Sequence, residues 1–359
     1  MRRCLVISRA RRPLSPRIST PSRPCGVTVW ARFWMPSRAP GREHHRYSDH
    51  SGYQRRNRMS TTRAFVIGEA LTDIVSGPNG TAEHPGGSPL NVAIGLSRLD
   101  IPATLHTRFG RDDRGAAITA HLAESDVALT AQSQTEAPTA TALATLDETG
   151  AATYTFEITG ELAEVAIPTE TELVHTGSIA AFLAPGADVI ERMLTAAREH
   201  ALISFDPNAR PMITPDRDAV RARTEAIAAI ADVIKLSDED AEWLYPELSQ
   251  EGVLAHLASF GAGLTAMTRG GEGCLFFANG EHTSFDAPRV SVVDTIGAGD
   301  SFMAALLAAI LRLDAADAVR AHRLTSDTLA LLAQDALTAA AITVSRAGAN
   351  PPRTAELGR

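Results

Sequence analysis

The chain has 359 residues, of which 44% are apolar and 21% are charged, and its formal net charge is −8. This composition is typical of a globular protein with one large domain or two smaller ones, and the acidic balance argues against nucleic acid as the main partner. The three cysteines, Cys4, Cys25 and Cys274, lack metal-ligand spacing, so we expect no disulfide framework and favour a reducing cytoplasm.

Residues 1–58 differ from the rest of the chain. They contain 14 Arg and no Lys against Glu43 and Asp49, hence a charge of +12, which leaves −20 for the remainder. Their Arg-, Pro- and Ser-rich composition predicts a disordered extension, with apolar runs too short for a signal peptide or a membrane helix. A nucleic-acid or membrane-surface arm and a transit-type peptide are alternatives. We favour a mis-assigned start codon, because Met59 leads directly into the first strand of a predicted domain over 59–359.

The first predicted strand runs from Ala64 to Val75, and its apolar start is typical of a buried parallel strand. Asp73 lies near its end. Ligands collect at the carboxyl ends of strands in open α/β sheets, so Asp73 could bind substrate hydroxyls. The alternative is a turn residue that leads into the loop 76–80.

A glycine motif opens the first predicted helix, which runs to about Leu99. Gly86 and Gly87 allow the backbone to approach a ligand, Ser88 can cap the helix, and Asn91 falls in its first turn. By itself this motif is weak evidence for a binding site, because glycine turns before capped helices are common.

The following elements predict a single α/β folding unit. A strand over 104–109 precedes a helix that ends near Glu124, and two alternating segments within 139–158 predict a hairpin. From Leu173 onward strands and helices alternate, which is typical of a parallel sheet with helices on both faces.

Polar residues follow several of the later predicted strands. Arg210 could pair with a phosphate or a substrate carboxylate, or form a structural salt bridge with Asp206 or Asp216. Asp240 belongs to an acidic stretch, Asp238-Glu239-Asp240, of the kind that favours a helix start. The glycines of the loop 269–273 permit a tight turn beside a ligand, although a hairpin turn would have the same composition.

The most informative stretch is 292–302, which predicts a short strand, a glycine loop and a buried helix. Gly297 and Gly299 allow successive N–H groups to converge at a helix N-terminus, whose partial positive charge attracts phosphate. Asp300 places a carboxylate at the point where an anion would bind. These residues alone leave two roles open for Asp300, proton abstraction and helix capping.

The motif DTIGAGD over 294–300 resembles the C-terminal signature of the PfkB, or ribokinase-like, carbohydrate kinases. With the earlier glycine motif, the resemblance covers about 64–352 and is strongest to bacterial fructokinases. It implies a three-layer α/β/α fold with a mostly parallel central sheet. It also implies a small β-sheet lid with strands from about 76–85 and 139–158.

The resemblance also implies roles for particular residues. Asp300 is the implied general base, and Gly297, Ala298 and Gly299 are the implied catalytic loop around the phosphoryl group. The implied sugar-binding residues are Asp73, Gly86, Gly87, Asn91 and Arg210. The implied nucleotide-binding residues are Lys235, Ser237, Thr268, Gly270, Gly271, Gly273, Asp294 and Thr295, with Asp240 implied in holding Mg²⁺ through water. The chain departs from the family pattern after Arg210, where Pro-Met-Ile replaces Leu-Trp, and at Ser237 and Asp240, which replace Asn and Glu.

The expected activity is transfer of the γ-phosphoryl group of ATP to a small sugar, with fructose favoured. Ribokinase activity, 2-keto-3-deoxygluconate kinase activity and a non-catalytic sugar- or nucleoside-binding role are the alternatives, and the intact Asp300 argues against the last. Mg²⁺ and a monovalent cation such as K⁺ are implied cofactors, and a homodimer through the lid is an implied assembly. We expect no membrane partner. A P-loop is excluded, because Lys235 is the only lysine and no Gly-x-x-x-x-Gly-Lys motif contains it.

Overall fold

The computed structural model describes residues 63–77, 80–146 and 152–358. The expectations for residues 1–58 and for a start at Met59 lie outside these ranges. The described strands are β1 (Ala64–Ile67), β2 (Leu71–Gly77), β3 (Gly80–Gly86), β4 (Ala103–His106), β5 (Phe109–Gly110), β6 (Ala128–Leu129), β7 (Gln134–Thr135), β8 (Thr141–Leu146), β9 (Ala152–Glu157), β10 (Leu173–Gly177), β11 (Leu202–Asp206), β12 (Val233–Ser237), β13 (Leu264–Thr268), β14 (Cys274–Ala278) and β15 (Glu281–Phe285).

The described α-helices lie on both faces of the main sheet. They are α1 (Ser88–Arg98), α2 (Asp113–Ala123), α3 (Gly186–Ala197), α4 (Arg217–Ala228), α5 (Asp238–Leu244), α6 (Gln250–Ala258), α7 (Ala298–Arg312), α8 (Ala316–Arg320) and α9 (Ser326–Val344). One apolar core packs α1, α2 and α7 to α9 against the sheet, and a second core packs α3 to α6 against its other face. The predicted three-layer α/β/α architecture is confirmed.

The main sheet has nine strands in the order β15-β14-β13-β12-β11-β10-β1-β4-β6. Its pairs are parallel from β6 to β13, and only β14 and β15 run antiparallel to their neighbours. The carboxyl ends of β11, β12 and β13 therefore lie side by side, which places the residues that follow these strands along one edge.

A separate four-stranded sheet, in the order β3-β2-β8-β9, forms the predicted lid. Strands β8 and β9 pair antiparallel, with Thr141 opposite Glu157. The turn predicted between them, over 147–150, lies outside the described residues. The lid also includes β2, which was expected to belong to the main sheet.

The prediction of one strand over 64–75 is wrong, because the chain leaves the main sheet after Ile67. Gly68 has a φ of 156°, and a Cβ on it would lie 2.3 Å from the Pro89 Cγ. The backbone thus passes directly against the start of α1 before it enters the lid. Asp73 consequently lies in a lid strand and not at the carboxyl end of a main-sheet strand.

The short strand expected before the glycine loop is also absent, since 286–297 contains no strand. Val292 and Val293 are 61% and 58% exposed. The backbone N–H groups of Val293 and Asp294 both donate to the Val344 carbonyl at the end of α9, at 2.8 and 3.2 Å. The segment is therefore hydrogen-bonded to the end of a helix and does not pair with a strand.

Among the described helices, Ser326–Val344 is the one long and apolar enough to span a membrane, and half of the relevant window is buried inside the protein. Its buried face packs in the core beside α7. Such burial is expected of a core helix in a globular domain.

Candidate active site

The glycine loop leads into α7 as predicted. Gly297 precedes the helix with a left-handed φ of 73°, and a Cβ on it would lie 2.6 Å from the Ala349 Cβ. Only glycine fits this position without displacing the neighbouring segment. The Ala298 N–H donates to the Thr295 carbonyl at 3.3 Å. The next N–H groups of the first turn of α7 have no acceptor within the helix and point out of its N-terminus, where they can bind an anion.

Asp294 shapes the loop through both of its carboxylate oxygens. Oδ1 accepts from the Ile296 N–H at 3.0 Å, and Oδ2 accepts from the Gly348 N–H at 2.8 Å. The side chain therefore joins the glycine loop to the segment that follows α9. Thr295 contributes its carbonyl, which accepts from the Ala298 N–H at 3.3 Å. Their nucleotide-binding roles remain predictions.

Asp300 lies in the first turn of α7 and is 9% exposed. Its Oδ1 accepts a 2.6 Å hydrogen bond from the Ser88 hydroxyl, and its Oδ2 accepts a 2.8 Å bond from the Asn91 amide. Both donors come from the first turn of α1, so two helix N-termini converge on one carboxylate. From the sequence, Asn91 was expected to bind the sugar and Ser88 to cap the helix, and neither bond was predicted.

Lys235 lies beneath the same loop. It is 3% exposed, and its Nζ is 2.8 Å from Oδ2 of the fully buried Asp206. Burial by itself lowers the pKa of an ammonium group. The carboxylates of Asp206, Asp240 and Asp300 outweigh that effect, and the pKa of Lys235 lies above its ordinary value. The ammonium group is therefore charged at neutral pH.

Ser237 and Asp240 form a capping box at the start of α5. The Asp240 Oδ2 accepts from the Ser237 N–H at 3.0 Å and from its hydroxyl at 2.8 Å, and Oδ1 accepts from the Ala209 N–H at 2.8 Å. These bonds match the helix-start interpretation and occupy both oxygens of Asp240. Across the described ranges, no three His, Cys, Asp or Glu side chains form a metal cluster. The residues present fit only a hydrated Mg²⁺ that reaches the protein through water.

One of the two predicted sugar-binding glycines, Gly86, lies directly against Asp73. A Cβ on Gly86 would lie 2.1 Å from the Asp73 Oδ2, and Gly87, with a φ of 118°, packs against the Glu69 carbonyl. Burial raises the pKa of Asp73 to about 6, although the positive charge of Arg210 opposes the shift. Because the charge of Arg210 acts on Asp73, the two side chains lie near each other.

Arg210 does not form the structural salt bridges considered from the sequence. Asp206 pairs with Lys235, and Asp216 caps α4 by accepting from the Ala219 N–H. The Arg210 Nη1 donates to the carbonyls of its own loop, at 3.0 and 3.1 Å, and it has no ion-pair partner within 4.0 Å among the described residues. Its guanidinium group can therefore still donate hydrogen bonds to a substrate oxygen.

Glu69 is a further residue near Arg210, and its role was not predicted from the sequence. Its Oε2 accepts from the Ala180 N–H at 3.1 Å. Burial raises the pKa of Glu69 to about 7. Hydrogen bonds from the backbone and from Ser178, and the positive charge of Arg210, lower it but do not outweigh the burial. Its position directly after a buried strand, beside Gly68, was the available sequence signal.

The remaining predicted nucleotide residues lie along the neighbouring strand ends. Thr268, at the end of β13, pairs in register with Ser237 of β12. A Cβ on Gly270 or Gly271 would meet no atom within 4 Å, whereas one on Gly273 would lie 2.0 Å from the Phe285 carbonyl oxygen. Gly273 is thus required by the turn, and the surface at Gly270 and Gly271 is open.

The chain is similar to known carbohydrate kinases. The profile of the pfkB family carbohydrate kinases matches residues 61–356. The Fructokinase of Rhizobium leguminosarum bv. trifolii is 32% identical over 258 residues, which are 68% of this chain and 79% of that protein. Fructokinase-1 of Zea mays is 31% identical over 277 residues, 71% of this chain and 85% of that protein.

Solved structures show the same fold. The fructokinase with bound ATP from Xylella fastidiosa matches with a TM-score of 0.71 at 25% identity, and the match covers 83% of this chain and 97% of that one. The aminoimidazole riboside kinase from Salmonella enterica matches with a TM-score of 0.69 at 24% identity, over 82% and 98%. The chain therefore belongs to the pfkB family of carbohydrate kinases and is an ATP-dependent carbohydrate kinase.

Proposed function

We propose that the protein transfers the γ-phosphoryl group of ATP to a hydroxyl of a small sugar, with fructose the favoured acceptor and Asp300 the general base. The observation that carries this proposal is the Asp300 carboxylate itself. It is buried at the N-terminus of a helix that begins with a glycine loop, and it is held there by Ser88 and Asn91. A carboxylate at a phosphate-attracting helix end repels an anionic ligand, so its presence there calls for a chemical role.

The proposed step follows from this placement. The sugar hydroxyl oxygen attacks the γ-phosphorus, its proton passes to the Asp300 carboxylate, and the bond to the bridging oxygen breaks to release ADP. The N–H groups of Gly297, Ala298 and Gly299 stabilise the charge on the phosphoryl oxygens, because preorganised donors act where that charge develops. Mg²⁺, when bound with ATP, neutralises phosphate charge, and Asp240 would hold it through water.

The proposed acceptor site consists of Asp73, Gly86, Gly87, Asn91 and Arg210. Fructose is favoured because the relatives from R. leguminosarum and Z. mays are fructokinases. Ribose, 2-keto-3-deoxygluconate and aminoimidazole riboside are the competing acceptors, and Arg210 would suit the carboxylate of the second. Which sugar binds is expected to depend on lid residues such as Ala142, which pairs with Asp73 in the lid sheet.

The proposal also covers the oligomeric state, a monovalent cation and the cellular location. A homodimer through the lid is part of the proposal. Val75, Ala144 and Tyr154 pair across one face of the lid, and this face also carries Asp73, so a partner that covers it would lie beside the proposed acceptor site. Tyr154 and Phe156 stack on that face, with ring centroids 6.2 Å apart. A monovalent cation such as K⁺, a cytoplasmic location and the absence of nucleic-acid and membrane partners complete the proposal.

A coupled ADP-release assay with a panel of sugars tests the proposed function. We expect ATP-dependent turnover with fructose at a higher kcat/KM than with ribose, 2-keto-3-deoxygluconate or aminoimidazole riboside. Thermal-shift measurements with the same sugars report binding independently of turnover. Sugar-dependent stabilisation without any ADP release would overturn the kinase proposal in favour of a non-catalytic binding protein.

A further inference from the structure

The single lysine of this chain occupies a position that is unusual for a lysine side chain. Lys235 is 3% exposed within β12, and its ammonium group forms a 2.8 Å ion pair with Asp206 at the end of β11. Lysine is almost never fully buried unless it is paired, because removing its charge from water is expensive. A buried charge of this kind calls for a reason beyond packing.

The position of the Lys235 ammonium group indicates that reason. A methyl group on the Gly299 Cα would lie 3.0 Å from the Lys235 Nζ, so the ammonium group lies directly against the catalytic loop. Glycine at 299 leaves the space that the ammonium group occupies. The positive charge is therefore adjacent to the helix N-terminus at which the phosphoryl group is proposed to bind.

The hydrogen bonding of this pair is incomplete. An ammonium group has three N–H donors, and among the described residues Asp206 is the one acceptor found for Lys235. Oδ1 of Asp206 is buried and has no hydrogen-bond partner in the same part of the chain. Buried donors without acceptors are costly, and two spare N–H groups beside an anion-binding loop are suited to phosphate oxygens.

We propose that Asp206 is a positioning residue that holds the Lys235 ammonium group under the Gly297–Asp300 loop, where Lys235 contacts the transferring phosphoryl group. This inference rests on the proposed phosphoryl transfer. Asp206 orients the flexible lysine side chain, which otherwise has many rotamers, so that its charge needs no reorganisation when the phosphoryl group develops negative charge. Asp206 itself contacts neither substrate.

A structural ion pair and a functional one respond differently to mutation. Removing one partner of a buried pair leaves an uncompensated charge and destabilises the fold, whereas removing both partners with residues of similar shape is often neutral. The double variant D206N/K235M should therefore be more stable than either single variant. If the pair served stability alone, the double variant would also recover activity.

The kinetic test compares D206N, K235M and D206N/K235M with D335N. Asp335 is also buried and paired, with Arg312 at the far end of α7, so D335N controls for the loss of a buried ion pair away from the site. We expect K235M to lower kcat/KM for ATP by about 10- to 100-fold, as for a lost hydrogen bond to a charged group. D206N should also lower kcat/KM for ATP. The double variant should have the same kcat/KM as K235M, and D335N should have the wild-type value.

A direct measurement is possible because Lys235 is the only lysine in the sequence. Protein grown with ¹³Cε-labelled lysine gives one lysine signal in an NMR spectrum. The non-hydrolysable ATP analogue AMP-PNP should shift this signal in the wild type, and D206N should move the signal of the free protein and reduce the shift caused by AMP-PNP. D335N should give the wild-type response.

Two results would overturn the inference. One is a lysine signal that AMP-PNP does not shift although calorimetry shows that AMP-PNP is bound. The other is full recovery of kcat/KM in D206N/K235M. If the wild type still phosphorylates a sugar, either result refutes only the role of Asp206 and leaves the proposed function intact. If the wild type shows no sugar-dependent ADP release, the proposed function itself is refuted.

Discussion

The Ser88 hydroxyl lies 2.6 Å from Oδ1 of Asp300, and this hydrogen bond joins the first turn of α1 to the first turn of α7 across 212 positions of the sequence. Asn91 donates to the other carboxylate oxygen at 2.8 Å. The two bonds fix the plane of the carboxylate in the structure. The same two helix starts therefore define both the anion-binding point and the orientation of the proposed base.

Replacing Ser88 by alanine should lower kcat by roughly tenfold, because a hydrogen bond to a charged group typically contributes about 1.5–3 kcal/mol. The KM values for ATP and sugar should change little, since Ser88 is expected to act through Asp300. S88T keeps the hydroxyl and should retain more activity than S88A. Steady-state kinetics of both variants tests this prediction, and equal losses in S88A and S88T would indicate a packing effect instead.

Replacing Gly299 by alanine should impair activity while leaving the fold intact. The added methyl group would lie 3.0 Å from the Lys235 Nζ and would displace the ammonium group from the loop. Gly252 is the matched control, because it lies in the first turn of α6 and a Cβ there meets its nearest neighbour at 3.4 Å. G252A should keep full activity and gain stability, since alanine is favoured over glycine in helices by about 1 kcal/mol. Wild-type kcat in purified G299A would contradict the prediction.

Replacing Asp73 by alanine should raise the sugar KM about tenfold or more, as expected for the loss of hydrogen bonds to a charged group. The KM for ATP should stay within about twofold, because Asp73 belongs to the lid and its carboxylate lies over Gly86. Initial rates measured over a grid of both substrates separate the two constants. Equal increases in both constants would count against a sugar-binding role for Asp73.

The burial of Glu69 predicts a pH-dependent effect on stability. Its pKa is raised from 4.5 to about 7, so between these values the folded state binds more protons than the unfolded state. The free energy of unfolding therefore loses a contribution from Glu69 as the pH rises from 4.5 to about 7, and the loss is complete above that range. The difference in melting temperature between E69Q and wild type should shift in favour of E69Q across this window. A difference that does not vary with pH would show that Glu69 acts through packing alone.

The sequence predicted the parts of the site that lie within short segments. The loop from Gly297 to Asp300 was predicted because its glycines and the apolar helix after it are adjacent in the chain. The Ser88–Asp300 bond and the Asp206–Lys235 pair were not predicted, because each depends on how distant elements pack. A lysine within a strand offers no sign that it is buried until the neighbouring strand supplies its carboxylate.

Errors in the predicted fold have the same origin. The apolar residues on both sides of Gly68 suggested one continuous strand, and only the approach of Pro89 shows why the chain turns into the lid there. Helix α6 and strand β15 were not predicted. The buried residues of α6 are Val253, Leu254 and Leu257. Alanine and histidine residues lie between and beside them, so the amphipathic pattern of this helix is weak in the sequence.

Replacing Asp300 by asparagine tests the proposed general base. The amide has nearly the same shape as the carboxylate but cannot accept the hydroxyl proton, and general bases typically contribute about 10²–10⁴-fold to the rate. We therefore expect D300N to lower kcat by that factor while sugar and ATP binding, measured by calorimetry, stay close to wild type. Asp113, which lies exposed in the first turn of α2, supplies the matched control, because D113N removes the same charge from a helix start away from the site. D113N should retain wild-type kcat. If D300N also retained it, or lost activity only together with its folded structure, Asp300 would be a structural residue that joins α7 to Ser88 and Asn91 of α1, and the proton would have to be accepted elsewhere.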